Sequence, residues 1–325
     1  MHTASPRRAQ PGAPRKRTAA AGAALAAAAC LAAAACSSSG SGSGTSSSSA
    51  NPLAPAATGA VVVGSANFPE SELLGQIYAD ALQGKGVKVT TKFNIGTREV
   101  YYPEVVKGAI TIMPEYNGAL LTTSVDTKST AASTEAVNAE LKAKLPSSVE
   151  ILNSSSAQDK DSVTVTQATA AKYHLTSIPD LAPVAKDFVF GGPPEFQTRA
   201  DGIPGLQKNY GLTFKSFSPL DTSGPITITA LQSGKVQAAD VFTTTPQIVT
   251  DHFVSLADPK NNFAAQNVTP LVYTKGVNST IVSTLNAVSA ALTTDALLQM
   301  NKALTIDHAS YAAVASGFLS QEGLK

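Results

Sequence analysis

Two hydrophobic patterns alternate along the chain from residue 60 onward. Short runs of apolar and β-branched residues, such as AVVVGSA (residues 60–66), are typical of strands buried in a parallel sheet. Segments with helical spacing follow them. The segment PESELLGQIYADALQGKG (69–86) has proline at its start, acids in its first turn and glycines at its end. This alternation predicts an α/β fold in which right-handed crossover helices cover mostly parallel sheets.

The alternation occurs twice, which predicts two lobes. The first lobe is expected to contain further strands at 87–94, 109–114 and 149–152, and the strand at 109–114 is expected to stop at Pro114. The second is expected to contain strands in DSVTVT, KDFVFGG, YGLTFKSFSPL and VQAADVF. Two helical segments complete the chain.

The order of these elements predicts how the chain passes between the lobes. We expect it to cross near residue 160 and to return near residue 250. Lobe 1 then comprises residues 59–160 and 251–325, and lobe 2 comprises residues 161–250.

The first 36 residues have the pattern of an export signal. Five basic residues before residue 18 precede about 18 weakly hydrophobic residues, mostly alanine, that end at Cys36. A transmembrane anchor is the alternative, but alanine is only marginally apolar. The pair Arg7–Arg8 leaves general secretion and twin-arginine export both open.

Cys36 stands where the apolar run meets SSSGSGSGTSSSSANP, which predicts a flexible tether over residues 37–58. This arrangement resembles a bacterial lipoprotein signal, in which the cysteine is acylated and becomes the new N-terminus. Cys36 is favoured over Cys30 because no tether follows Cys30, although Ala33 stands where such signals usually carry leucine. With both cysteines here, no thiol or disulfide is expected in the folded body.

Composition and charge narrow the functional classes. The chain has 325 residues, of which 43% are hydrophobic and 14% charged, enough for two lobes with cores of their own. The formal net charge of +1 hides an acidic body: without the five N-terminal basic residues, 19 basic residues stand against 23 acidic ones, a net charge of −4. Such a body offers no electrostatic basis for nucleic-acid binding.

The residues give little support to an enzyme. None of the four histidines belongs to a metal-binding pattern, and the sequence has no Gly-x-Ser-x-Gly elbow and no phosphate-binding loop. Glu70, Glu115 and Glu195 each follow a predicted strand, so acid–base roles compete with those of helix-start or solvated acids. We predict no catalytic residue, no cofactor and no metal.

Hydroxyl, amide and aromatic side chains follow the predicted strands. In open α/β sheets ligands bind beyond the carboxyl ends of the strands, and candidates there are Asn67, Thr97, Tyr116, Arg199, Phe242 and Thr243. Such groups suit a small polar or cationic solute. Thr97 is equally explained as a plain helix cap, and Arg199 as a solvated side chain.

Several sequence blocks, taken in order, resemble one family, the substrate-binding proteins of ABC importers for glycine betaine, choline and related osmoprotectants. The blocks include VVVGSANFPESELLGQIYADAL, NIGTREVYYPEVVKGAITIMPEYNGALL and ALQSGKVQAADVFTTTPQI, and the resemblance covers about residues 60–325. It implies a two-lobed, periplasmic-binding-protein-like (type II) α/β fold with mostly parallel sheets flanked by helices and a ligand cleft between the lobes.

The resemblance also implies a function. A small quaternary-amine or zwitterionic solute is bound outside the cytoplasm and delivered to a membrane permease and its ATPase, without chemistry on the ligand. The protein is expected to be a monomer held at the outer face of the membrane by its lipid anchor.

In this family several aromatic rings, mostly tyrosines, enclose the quaternary ammonium group. A methylated cation cannot donate hydrogen bonds, so ring faces attract it instead. The tyrosine of the PEY block corresponds to Tyr116, and a second wall corresponds to Phe242. Two further walls fall near Ser155 and Ile228, which are not aromatic, and Ala66 stands where the family often has a lysine or glutamine that helps to hold the carboxylate of the ligand.

These departures leave alternatives open. Phe190, Phe196 or Tyr101 would have to fill the gaps in the cage, and Tyr116 and Phe242 are themselves also explained as core residues. Within the same class, the solute is alternatively a different amine, an amino acid or an ergothioneine-like compound. From other classes, a lipoprotein that senses without transport and a hydrolase are the rivals.

Overall fold

The computed structural model describes residues 59–325, so the predicted signal, the tether and Cys36 lie outside it. The strands of this part are β1 (Val61–Gly64), β2 (Val89–Lys92), β3 (Ile112–Tyr116), β4 (Val149–Ile151), β5 (Val163–Thr166), β6 (Val189–Gly192), β7 (Ser216–Pro219), β8 (Ala238–Asp240), β9 (Phe253–Ser255) and β10 (Val268–Tyr273).

Most helices of the described part follow strands as predicted, but β4 and β5 have no helix between them, and the helix between β6 and β7 was not predicted. They are α1 (Pro69–Gly84), α2 (Arg98–Val106), α3 (Asn117–Leu120), α4 (Thr134–Lys144), α5 (Gln167–Tyr173), α6 (Ile203–Tyr210), α7 (Pro225–Gln232), α8 (Gln247–Thr250), α9 (Ser279–Ala291), α10 (Thr294–Thr305) and α11 (Tyr311–Gln321). Three helices rather than two close the chain, because Thr293 caps α10 immediately after α9 ends.

The strands form two five-stranded sheets, one in each lobe. The order in lobe 1 is β2-β1-β3-β10-β4, and the order in lobe 2 is β7-β6-β8-β5-β9. In each sheet two pairings are parallel and two are antiparallel, so the sheets are mixed rather than mostly parallel. The antiparallel pairings involve β5 and β10, the strands that directly follow the two passages of the chain between the lobes.

The prediction that the third strand stops at Pro114 is wrong, because β3 continues through it to Tyr116. Pro114 lies directly opposite Pro270 of β10 in an antiparallel register. Opposite residues in an antiparallel ladder alternate between pairs joined by backbone N–H···O hydrogen bonds and pairs without such bonds. Proline has no N–H, so two opposite prolines fit only the second kind of pair. The missing donors therefore do not interrupt this pairing.

The predicted return near residue 250 also needs correction. Phe253–Ser255 forms β9, which pairs with β5, and Leu256 and Phe263 belong to the core of lobe 2, so lobe 2 extends at least to residue 263. The two crossing segments pair with each other: the Asp159 N–H donates to the Gln266 carbonyl at 3.0 Å, and the Val268 N–H donates to Ala157 at 3.0 Å. The lobes are therefore joined by a short two-stranded connection.

The core of lobe 1 forms where α1 packs against α9, α11 and the sheet. Leu73, Ile77 and Tyr78 repeat at helical spacing on the buried face of α1. In the described part of the chain no single helix is long and apolar enough to cross a membrane, although α9 and α10 pass that test together and are bent by 89° at their junction.

Candidate ligand-binding site between the lobes

Loops that follow strands of both sheets meet in a space between the lobes, which we call the narrow cleft. Its volume is about 40 Å³, which is room for about three water molecules. Residues after β1, β2 and β3 line it from lobe 1, and residues after β6, β7 and β8 line it from lobe 2. This is the strand-end position at which ligands bind in open α/β sheets.

Five of the six side chains predicted for the site lie at the narrow cleft: Asn67, Thr97, Tyr116, Arg199 and Phe242. Thr97 is the N-cap residue of α2, but its side chain makes no capping hydrogen bond, which argues against a plain helix cap. Tyr116 is largely buried and also lines the cleft, a position compatible with both the core and the wall interpretations. That these residues bind ligand stays a prediction.

Thr243 lies apart from the other five. Its N–H donates to the Lys160 carbonyl at 2.9 Å, and its hydroxyl accepts from the Lys160 N–H at 2.9 Å. These bonds hold the first crossing segment. Thr243 and Thr244 lie in a turn, and it is Thr244 that reaches lobe 1, where its hydroxyl donates to Glu70.

The rings proposed to complete the cage are not available for that purpose. Phe190 and Phe196 are buried in the core of lobe 2, where they stack with ring centroids 5.4 Å apart and an interplanar angle of 6°. Tyr101 does line the narrow cleft, but its hydroxyl donates to Glu115 at 2.9 Å and its ring belongs to the core of lobe 1.

The ring that occupies the middle of the site is Phe68, which the sequence analysis did not single out. Its centroid is 5.9 Å from that of Tyr116 and 5.4 Å from that of Phe242. It lies in the loop between β1 and α1, so an aromatic residue directly after the first strand was the available signal. Phe68 thus links the aromatic wall of lobe 1 to that of lobe 2.

Beyond Phe68 and Phe242 lies a second space of about 600 Å³, which we call the wide cleft. Residues 222–251 of lobe 2 and the end of α10 line it, and Ile228 is among them. Ser155, the other non-aromatic cage position, is buried and donates to the Ala157 carbonyl at 3.3 Å. Neither position therefore places a ring at the narrow cleft.

A buried ion pair supports one wall of the narrow cleft. Arg98 donates through Nε to both carboxylate oxygens of Glu115 at 3.1 Å and through Nη2 at 2.9 Å. Burial alone would lower the pKa of Arg98, but the adjacent Glu115 carboxylate outweighs burial and raises it. Glu115, one of the three acids considered for an acid–base role, is thus held in a buried ion pair with Arg98.

Polar contacts join the lobes across the cleft. Arg199 of lobe 2 pairs with Glu99 of lobe 1, with Nε–Oε1 at 3.0 Å and Nη2–Oε2 at 3.2 Å. The hydroxyl of Thr122 donates to Asp201 at 2.7 Å. Thr244 of lobe 2 makes two more: its hydroxyl donates to Glu70 at 2.6 Å, and its carbonyl accepts from the Asn301 amide at 3.2 Å.

Of these groups, Glu70 accepts hydrogen bonds from the most side chains. Its other oxygen accepts from the Tyr116 hydroxyl at 2.6 Å, and the Asn301 amide shares the oxygen bound by Thr244. Burial raises the pKa of Glu70, although these three donors act in the opposite direction. The predicted wall Tyr116 is thereby tied to the contact between the lobes.

Acidic side chains near the first crossing segment were also missed from sequence. Asp159 and Asp161 both line the narrow cleft. Burial, and then the charge of Glu70, raises the pKa of Asp159 well above its ordinary value. Charged residues in QDKDS, directly before β5, were the available signal.

Comparison with known proteins agrees with this architecture. Residues 59–321 match the family described as the substrate binding domain of ABC-type glycine betaine transport systems. The glycine betaine-binding protein YehZ of Escherichia coli (strain K12) is 28% identical over 280 residues, which are 82% of this chain and 92% of YehZ.

Two further proteins extend the comparison. The ergothioneine transport permease/binding protein EgtU of Helicobacter pylori (strain G27) is 26% identical over 206 residues, 62% of this chain but only 36% of EgtU. A crystal structure of a glycine betaine/carnitine/choline ABC transporter superposes with a TM-score of 0.64 at 22% identity, covering 81% of this chain and 99% of the other. That likeness confirms the two-lobed type II fold. The chain therefore belongs to the substrate-binding domains of ABC-type glycine betaine transport systems, extracytoplasmic proteins that bind a solute and perform no reaction on it.

Proposed function

We propose that this chain binds a small amine solute of the glycine betaine and choline type in the narrow cleft and delivers it to the permease and ATPase subunits of an ABC importer. The observation that carries the proposal is the meeting of three rings from both lobes: Phe68 and Tyr116 from lobe 1 and Phe242 from lobe 2. Ring faces attract an ammonium group that water would otherwise solvate.

Solute binding is coupled to the approach of the lobes. Phe242 packs against Phe68, which in turn packs against Tyr116, only while lobe 2 is close to lobe 1, so the three rings come together only when the lobes approach each other. A space of about 40 Å³ does not admit a solute of this size, so the lobes lie farther apart around a bound solute than in this structure, and they separate further on the two-stranded connection to load it. The permease would recognise the arrangement that holds solute.

An ergothioneine-like solute is the second candidate. One relative carries that name, and Ser155 and Ile228 leave the quaternary-amine cage with fewer rings than expected. A thermal-shift screen of betaines, choline, carnitine, ergothioneine and amino acids separates the candidates. A sensor that does not transport would bind a solute but fail to support its uptake with the permease and ATPase.

Replacing Phe242 with leucine is expected to weaken solute binding. Leucine keeps an apolar side chain at the end of β8 but removes the ring face, which contributes about 0.5–2 kcal/mol to cation binding. Affinity for the best solute in the screen should fall by roughly 2- to 30-fold in a calorimetric titration.

The matched control is Phe214→Leu, since Phe214 packs against Phe190 in the core of lobe 2 with ring centroids 4.9 Å apart. It should lower the melting temperature and leave affinity unchanged. Equal affinity losses in the two variants would show that Phe242 acts only through packing and would remove it from the site.

The proposal includes an anchor at Cys36, which the sequence places directly before the polar tether. The mature protein is expected to begin at a diacylated Cys36 and to work as a monomer, since one chain completes the cleft. Mass spectrometry of the mature N-terminus tests this. A start at Leu31, or an unmodified Cys36, would contradict the anchor and leave the binding proposal intact.

A further inference from the structure

We infer that the solute preferred by the narrow cleft is a small organic cation that donates hydrogen bonds, a protonated amine or guanidinium without a carboxylate, rather than a zwitterionic betaine. This rests on the proposed function, because it concerns the charge of the solute at the same site. Four features of the cleft and of the groups behind it lead to it.

The basic groups at the narrow cleft already have acidic partners. Its basic lining residues, within the described part of the chain, are Arg98 and Arg199. Arg98 donates from Nε and Nη2 to the fully buried Glu115 and from Nη1 to Thr123 at 3.3 Å. Arg199 is bound by Glu99 and lies 3.9 Å from Glu195. A carboxylate on the solute would have to displace one of these acids to gain a cationic partner.

Acidic groups at the cleft, in contrast, have spare capacity. Asp161 is half-buried, and the one hydrogen bond found for it within residues 59–325 comes from Gln266 Nε2 at 2.8 Å. Asp159 is 3% exposed and accepts from the Thr244 N–H at 3.1 Å and from the Thr243 hydroxyl at 3.4 Å. An ionised carboxylate accepts about four hydrogen bonds, so Asp161 favours a solute that brings donors and positive charge.

A third carboxyl group stands behind these two, and it is an independent observation. Asp240 ends β8, is 0% exposed, and neither of its oxygens has a hydrogen-bond partner among residues 59–325. Burial raises its pKa, and the charge of the neighbouring Asp161 raises it further. A cation bound at Asp161 is favoured by these acidic surroundings, whereas an anionic group on the solute is disfavoured by them.

The aromatic side of the cleft is compatible with such a cation. Phe68, Tyr116 and Phe242 attract any ammonium or guanidinium group through their faces. A quaternary ammonium uses only this attraction, because it has no N–H to offer Asp161. A protonated tertiary amine presents methyl groups to the rings and its N–H to the acid.

Four probes of similar size separate charge from hydrogen bonding near pH 7. Choline, a cation, and glycine betaine, a zwitterion, both carry a quaternary ammonium group without an N–H. Dimethylethanolamine, a cation, and dimethylglycine, a zwitterion, both carry a tertiary ammonium group with one N–H. By calorimetric titration of the purified protein, we expect each cation to bind about tenfold or more tightly than its zwitterionic counterpart. We expect dimethylethanolamine to bind about tenfold more tightly than choline, since a charge-assisted hydrogen bond is added.

The variant Asp161→Asn keeps the side-chain oxygen that faces Gln266 but removes the charge. It should lower the affinity for dimethylethanolamine by about tenfold and leave the affinity for dimethylglycine unchanged or higher. Glu322→Gln, in an exposed position after α11, is the matched control and should change neither affinity. If Asp161→Asn does not fold, Asp159→Asn tests the same point, because asparagine retains the acceptor for Thr244.

The outcomes distinguish this inference from the function on which it rests. If glycine betaine binds as tightly as choline, or choline as tightly as dimethylethanolamine, the inference is overturned and the proposed function stands. Binding of none of the four probes, nor of any solute in the thermal-shift screen, overturns both.

Discussion

Replacement of Arg98 with methionine is expected to lower the free energy of unfolding by about 3–5 kcal/mol. The change leaves Glu115, which is 0% exposed, as a buried charge without its main partner. Of the donors that remain, the Tyr101 hydroxyl and the Tyr116 N–H are uncharged and cannot replace a guanidinium. Urea denaturation followed by circular dichroism measures the effect.

The control is Lys107→Met, which also removes one member of an ion pair. Lys107 pairs with Glu104 at 3.0 Å, but its side chain is 67% exposed. An exposed pair of this kind contributes about 0–1 kcal/mol. The double variant Arg98→Met, Glu115→Gln should recover part of the loss, because the unpaired charge is gone. A loss below about 1 kcal/mol for Arg98→Met would show that water reaches Glu115 and that the pair is not buried in solution.

Replacement of Asp240 with asparagine is expected to stabilise the protein above neutral pH. The pKa of Asp240 is raised well above its ordinary value, first by burial and then by Asp161. A carboxyl group whose pKa is raised on folding contributes stability below its unfolded pKa, near 4, and that contribution is lost as pH rises through the raised value. Asparagine does not titrate, and its amide can donate to Asp161.

At pH 8 the variant should therefore exceed the wild type by about 1–3 kcal/mol, the penalty typical of a buried unsatisfied group. The measurement is the free energy of unfolding from pH 4 to pH 9, and the advantage of the variant should grow with pH. A constant difference across that range would mean that Asp240 does not titrate there.

Asp180→Asn provides a control with the opposite sign. The N–H groups and hydroxyls of Thr176 and Ser177 lower the pKa of Asp180 to about 2. Its contribution to stability is present above the unfolded pKa and is lost as pH falls towards 2. Asp180→Asn should therefore reduce stability at neutral pH and flatten the acid side of the profile, whereas Asp240→Asn acts on the alkaline side.

Much of the fold follows from local sequence patterns. The extent of α1 follows from Pro69, the first-turn acids and the spacing of Leu73 and Ile77, all of which act within one helix. Strands β1–β8 were recognised from short apolar runs for the same reason, whereas β9 and β10 were not predicted. Strand direction was predicted less well, because the antiparallel pairings of β5 and β10 depend on how the chain crosses between the lobes.

The residues of the candidate site also fall into those that the sequence predicted and those that it did not. Tyr116, Thr97 and Phe242 were found because the ends of strands converge at one edge of a sheet, a rule that needs only the element order. Phe68 was missed because an aromatic residue at a helix start is explained equally well by packing. Its place between two rings depends on where lobe 2 puts Phe242.

Charge and hydrogen bonding at the site were decided by tertiary structure alone. The bond from Thr244 to Glu70 joins residues 174 positions apart, and Arg199 meets Glu99 across 100 positions. Asp240 comes beside Asp161 because β8 pairs with β5, with Asp240 opposite Val163. The sequence by itself determined most of the strands and helices and the ends of several strands, since these depend largely on neighbours along the chain. Which carboxyl groups are buried, which are paired and which are left to meet a solute depends on long-range packing, because burial and partners both come from distant segments.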